Sequence, residues 1–132
     1  MDYGPLVREE IETGREIIEK FHAYRPVKAA FWLKSGDDSQ RYLYIASDEF
    51  NERSPREGYA DLAHVMDTVD DKEFSEFWIK LIGTDEPLAQ EAIKISQKFP
   101  TAMGARFGRQ MFGNVYAEDG YLYEMPVTNS AH

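Results

Sequence analysis

The chain has 132 residues, 30% charged and 42% hydrophobic, with a formal charge of −9, 8 Tyr, 8 Phe, 2 Trp and no cysteine. This length fits one domain, 1–132, and buries roughly two thirds of its unfolded surface, so a true core is expected. The missing cysteines exclude disulfides, thiolate metal ligands and thiol nucleophiles; the negative charge opposes duplex nucleic acid and anionic lipid; and no stretch nears the roughly 20 apolar residues that cross a bilayer, which makes the cytoplasm the expected location.

Leu6 to Tyr24 reads as a helix, because Val7, Ile11, Gly14, Ile17, Ile18 and Phe21 recur on one side at a period of 3.6. Gly14 in mid-helix costs about 1 kcal/mol against alanine, which implies close packing of a neighbouring element. Glu10 falls inside the stripe and suits either the helix dipole or a functional carboxylate. Pro26 to Phe50 then reads as two strands about a polar turn, Ser35 to Ser39. Alternation places Val27, Ala29, Phe31 and Leu33 on one face, and Lys28, Ala30, Trp32 and Lys34 on the other. On the return strand Leu43 and Ile45 oppose Tyr42, Tyr44 and Ala46, so the hairpin is expected to have an aliphatic core face and an aromatic one.

Ser54-Pro55-Arg56-Glu57 carries the signals of a helix start: an N-cap serine, proline at the first position and a capping-box glutamate. The stripe of this second helix is Tyr59, Leu62, Ala63, Met66 and Val69. Asp61, His64 and Asp67 lie about 60° apart around the axis, which suits a solvated face better than a converging metal site. Phe74 to Ile82 alternates as a third strand, with Trp78, Lys80 and Ile82 on one side. A helix over Glu73 to Gly83 fits the same residues through Phe74, Phe77, Trp78 and Leu81. A third helix, capped by Thr84 or Asp85, is expected to reach Phe99 with Leu88, Ala92, Ile95 and Phe99 buried. Three short strands close the chain, Arg106 to Phe112, Val115 to Glu118 and Tyr121 to Met125, turned by Gly113-Asn114 and Asp119-Gly120. Loose ends are expected at 1–5 and 127–132.

These elements predict an α/β fold of the α+β type. It is a two-layer sandwich with a mostly antiparallel sheet and about three helices, in the order α-β-β-α-β-α-β-β-β, with the helices on the aliphatic face. The face left over would then gather Trp32, Tyr42, Tyr44, Trp78, Tyr121 and Tyr123, with Lys28, Lys34 and Lys80 among them. Such a surface suits a protein partner or a homodimer, unless a helix covers it and makes the aromatics core. Stacking of single-stranded bases is a further use of such a surface.

A second surface emerges from charge. Between Ala92 and Ala117 there is no Asp or Glu, while Lys94, Lys98, Arg106 and Arg109 supply four positive charges, so the rest of a chain of net −9 carries −13. Paired guanidinium groups beside Gly104 and Gly108 suit a small anionic ligand in the segment 94–113. Against that, the cations merely complement a helix end and pair with the abundant acids. The histidines His22, His64 and His132 occur singly, and no nucleophile elbow, metal motif or cofactor fingerprint is present. The expectation is a non-catalytic interaction or regulatory module with no cofactor, the alternative being an anion-binding or enzymatic domain built on the basic segment.

Overall fold

The computed structural model describes residues 8–36, 40–52, 54–99 and 103–124; the expected loose ends at 1–5 and 127–132 lie outside these. Helix α1 forms over Arg8–His22, acidic in its first turn and basic in its last, as the helix dipole favours. It buries Gly14, Ile17, Ile18 and Phe21 of the predicted stripe and half-buries Ile11, while Val7 lies outside the described residues. At its end His22 Nδ1 accepts the Val27 N–H at 3.0 Å, turning the chain into the sheet.

Strands β1 (Ala29–Ser35) and β2 (Tyr42–Ser47) form the expected hairpin. Helix α2 (Arg56–Asp67) carries the chain back, so β3 (Ile79–Gly83) pairs parallel to β2. Helix α3 (Pro87–Lys98) follows, then β4 (Ala105–Phe107), β5 (Gln110–Phe112) and β6 (Val115–Leu122). The sheet order is β3-β2-β1-β6-β4, with β5 also paired to β6. Every pairing except β2 with β3 is antiparallel. The α+β class, the three helices, the mostly antiparallel sheet and the order α-β-β-α-β-α-β-β-β are therefore as the sequence predicts.

The details of the elements depart from expectation in several places. First, Glu76–Trp78 is a 3-10 turn and the third strand starts only at Ile79, so the ambiguous stretch is turn and then strand. Second, Asp119 and Gly120 do not turn the chain; they lie inside β6, which continues along β1 with a shift of register at Lys34/Ser35. A Cβ at Gly120 would collide with the Phe107 ring and lie 2.6 Å from the Trp32 carbonyl oxygen, so this glycine serves close packing. Third, the run from Arg106 to Phe112 is two strands, broken at Gly108-Arg109 with Arg109 at φ 57°. Fourth, Glu86 takes the cap position of α3 without a side-chain bond, while Thr84 Oγ1 donates to Asp48 at 2.5 Å.

The helices also divide between the two faces of the sheet. Helices α1 and α2 cover the face that carries Ala30, Trp32, Leu43, Ile45, Ile79 and Leu81. Helix α3 covers the other, where Ala89 and Ala92 pack with Ala29, Phe31, Ala46, Phe112 and Leu122. The small side chains at 89 and 92 let α3 sit close to the sheet, and its buried line is rotated accordingly: Phe99, expected inside, is 62% exposed. In α2 the buried residues are Gly58, Leu62 and Val65 instead of Tyr59 and Ala63, because Gly58 lies against the Phe50 ring and Leu81.

Candidate functional site

The register of the central hairpin decides which aromatic residues are available. Phe31 pairs with Tyr44 and Trp32 with Leu43, and residues opposite each other in an antiparallel pair share a face. Trp32 therefore sides with Leu43 and Ile45, whereas Tyr42 and Tyr44 side with Leu33 and Phe31. On the other edge of β1, Trp32 pairs with Tyr121, and the Tyr123 N–H donates to the Ala30 carbonyl at 3.2 Å, so both tyrosines join Trp32. The aromatic set expected on one open face is split between two faces.

Trp32, Tyr121 and Tyr123 lie in the core beneath α1. There the Trp32 indole N–H donates to Tyr123 Oη at 2.8 Å, and the Tyr123 hydroxyl donates to the Ile11 carbonyl at 2.7 Å. The hydroxyl is thus satisfied in both senses, and burial raises its pKa above the usual tyrosine range. The Arg15 guanidinium sits 5.4 Å over the Tyr123 ring and 3.4 Å from Tyr121 Oη. These three aromatics are the covered alternative considered above; a partner docking on the folded chain does not reach them. Trp78, half-buried, stands at the margin of the same core, edge-on to Phe74 at 5.1 Å.

Tyr42 and Tyr44 are different. Helix α3 reaches the part of the sheet near Ala29 and Ala46 and leaves the hairpin end of this face half-open. Tyr44 stacks on Phe31 at 5.2 Å and 16°, and Lys80 Nζ lies 4.0 Å over the Tyr42 ring. Beside them a cleft of about 580 Å³ is floored by Leu33 and Tyr44, with Asn114, Val115, Tyr116 and Glu118 along its side. The Gly113-Asn114 turn, with Gly113 at φ 62°, forms the β5–β6 hairpin that builds this wall. The sequence marks Asn114 as turn and Val115 to Glu118 as strand but points to no site there; only the fold of β5 and β6 back toward β1 brings Asn114, Val115 and Tyr116 to Tyr44.

The cleft is lined by aromatic, aliphatic and polar side chains with one carboxylate. Its carboxylate, Glu118, pairs with Lys34, and the ammonium there, helped by Arg109, holds the carboxyl below its usual range. Near neutral pH it is an acceptor of charge-assisted hydrogen bonds, poorly suited to donate a proton. Among the described residues no group of three or more His, Asp or Glu stands placed to hold a metal ion. Asp61, at the head of the Asp-x-x-His-x-x-Asp run, accepts from Arg25 Nε at 2.7 Å. Glu10 is likewise structural, 3.2 Å from the buried Arg41 guanidinium.

The four cations of the basic segment do not converge. Lys94 and Lys98 are exposed on α3, Lys94 lying 3.7 Å from Glu91. Arg106 is opposite Tyr121 in the β4–β6 pairing and so projects on the α1 side of the sheet. The sheet separates it from the lysines, and Arg109 lies near Glu118.

No protein-family model matches this chain, and no curated protein or solved structure does. No helix among the described residues is long and apolar enough to cross a membrane.

Proposed function

We propose that this chain is a small non-catalytic interaction module that pairs with a second copy of itself through the open hairpin end of the α3-side sheet face. The observation that carries the reading is the half-exposed pair Tyr42 and Tyr44, held on a rigid sheet beside the cleft of about 580 Å³. Tyrosines that are already ordered contribute contact area at little entropic cost and are enriched at interface hot spots. The rim supports a like-with-like contact, because it carries both signs: Lys80 at the β3 side and Glu118 at the β6 side. A two-fold axis between them sets each lysine against the other copy's glutamate, as an isologous interface requires. A stable contact needs about 800 Å² per partner, roughly a tenth of this chain's 7755 Å² surface.

Native mass spectrometry at low micromolar concentration is expected to show a dimer. Tyr42→Ala combined with Tyr44→Ala is expected to shift it to monomer while the circular dichroism stays native, since neither ring is fully buried. Lys80→Glu is expected to weaken the dimer and Lys80→Glu with Glu118→Lys to restore it. A wild-type monomer, or a dimer indifferent to the tyrosine pair, would sink the reading. Retention of an anionic adduct by a monomer would favour the basic segment instead.

A further inference from the structure

Phe77 is the most exposed large apolar side chain among the described residues, at 83%. Leaving a phenylalanine in water forfeits the gain of burying it, and the hydrogen bonds of the turn hold the backbone on either side of it. The Phe77 N–H donates to Ser75 Oγ at 3.1 Å, the Trp78 N–H to the Ser75 carbonyl at 3.0 Å, and the Ile79 N–H to the Glu76 carbonyl. Behind the turn Phe74 is buried edge-on to Trp32 at 5.7 Å and to Trp78 at 5.1 Å. Asp71 ties the approach to α1, accepting from the Thr13 hydroxyl at 3.1 Å, and caps the Glu73 N–H at 3.1 Å. The ring of Phe77 is presented from a braced support.

Its surroundings are strongly acidic. From Asp67 to Glu76 there are five carboxylates against one cation, Lys72. Lys72, itself exposed, donates to the Val69 carbonyl at 3.0 Å, and Lys20 reaches in from α1 to the Thr68 carbonyl at 3.2 Å, so the carboxylates still outnumber the cations there. The turn therefore offers one fixed aromatic knob inside a field of negative charge.

We infer that the Phe77 turn is a docking site for a basic protein segment, one with Lys or Arg residues around an apolar pocket that takes the phenyl ring. Charge complementarity selects this occupant. A second copy of this turn is a poor fit, because it brings the same acidic rim. The surface is distinct from the Tyr42–Tyr44 face, so the two proposals fail independently.

The test is selection of binders from a random dodecamer peptide library on the immobilised full chain, followed by titration of the selected peptides against wild type, Phe77→Ala and Glu73→Lys/Glu76→Lys. Phe77 packs on nothing that holds the fold, so its alanine variant is expected to unfold at the wild-type midpoint. The expected result is a set of peptides rich in Lys and Arg with an apolar residue. Phe77→Ala should weaken their binding at least about tenfold, the charge reversal should weaken it similarly, and affinity should fall between low and physiological salt. Failure to select binders, selection of acidic or neutral peptides, or binding indifferent to Phe77→Ala would each overturn the proposal.

Discussion

Trp32→Ala is expected to lower the unfolding free energy by about 3–5 kcal/mol, the range for truncating a large buried aromatic. The indole is 1% exposed, edge-on to Phe74 at 5.7 Å, and bonded through Nε1 to Tyr123 at 2.8 Å. Removing it opens a cavity under α1 and leaves the Tyr123 hydroxyl without one of its two partners. Urea unfolding, read by far-UV circular dichroism, checks this. A loss under about 1 kcal/mol is what an exposed tryptophan on an interface gives, and it would contradict the burial of Trp32. The substitution is accordingly a test of the core. It is the wrong probe for self-association, which Tyr42 and Tyr44 report without unfolding the chain.

Gly14→Ala is expected to destabilise by about 2 kcal/mol, against the sign that helix propensity alone predicts. Alanine in mid-helix is worth about 1 kcal/mol over glycine. Here the added Cβ would collide with the Tyr123 hydroxyl and lie 3.3 Å from the Trp32 indole nitrogen. Either α1 lifts from the sheet, or the tyrosine moves and gives up its bonds to Trp32 and Ile11. Overpacking of this kind costs about 1–3 kcal/mol, and each lost hydrogen bond adds about 1 kcal/mol. Denaturant midpoints compared at constant m-value decide it. A more stable Gly14→Ala variant would mean that α1 does not approach the sheet as closely as described.

The two substitutions also bear on how the Phe77 turn is held. Helix α1 reaches the sheet only because residue 14 has no side chain, and that approach lets Tyr123 bond the Ile11 carbonyl. The Phe77 turn leans on the same structure through Thr13, Phe74 and Trp32. Loosening α1 is thus expected to disturb the presentation of Phe77, whereas truncating Phe77 leaves the core untouched.

Local chemistry along the chain determined the elements and their order. The 3.6-residue stripe of α1, with its glycine, needs no partner to be recognised, and neither do the strand alternation on either side of residues 35–39 or the turn at Gly113-Asn114. What only the tertiary structure decided is how those elements face one another. Side chains in a strand alternate with period 2, so a one-residue shift of register moves every residue of one strand to the opposite face. The pairing of Trp32 with Leu43 sent Tyr42 and Tyr44 to the α3 side and Trp32, Tyr121 and Tyr123 beneath α1. The same non-local pairing carried β6 through Asp119-Gly120, because the ladder with β1, despite its register shift at Lys34/Ser35, outweighs a local preference for turning. The choice of face for α3 depended on Ala89 and Ala92 packing in one cluster with Phe31, 58 and 61 residues away, an arrangement that no window of sequence contains.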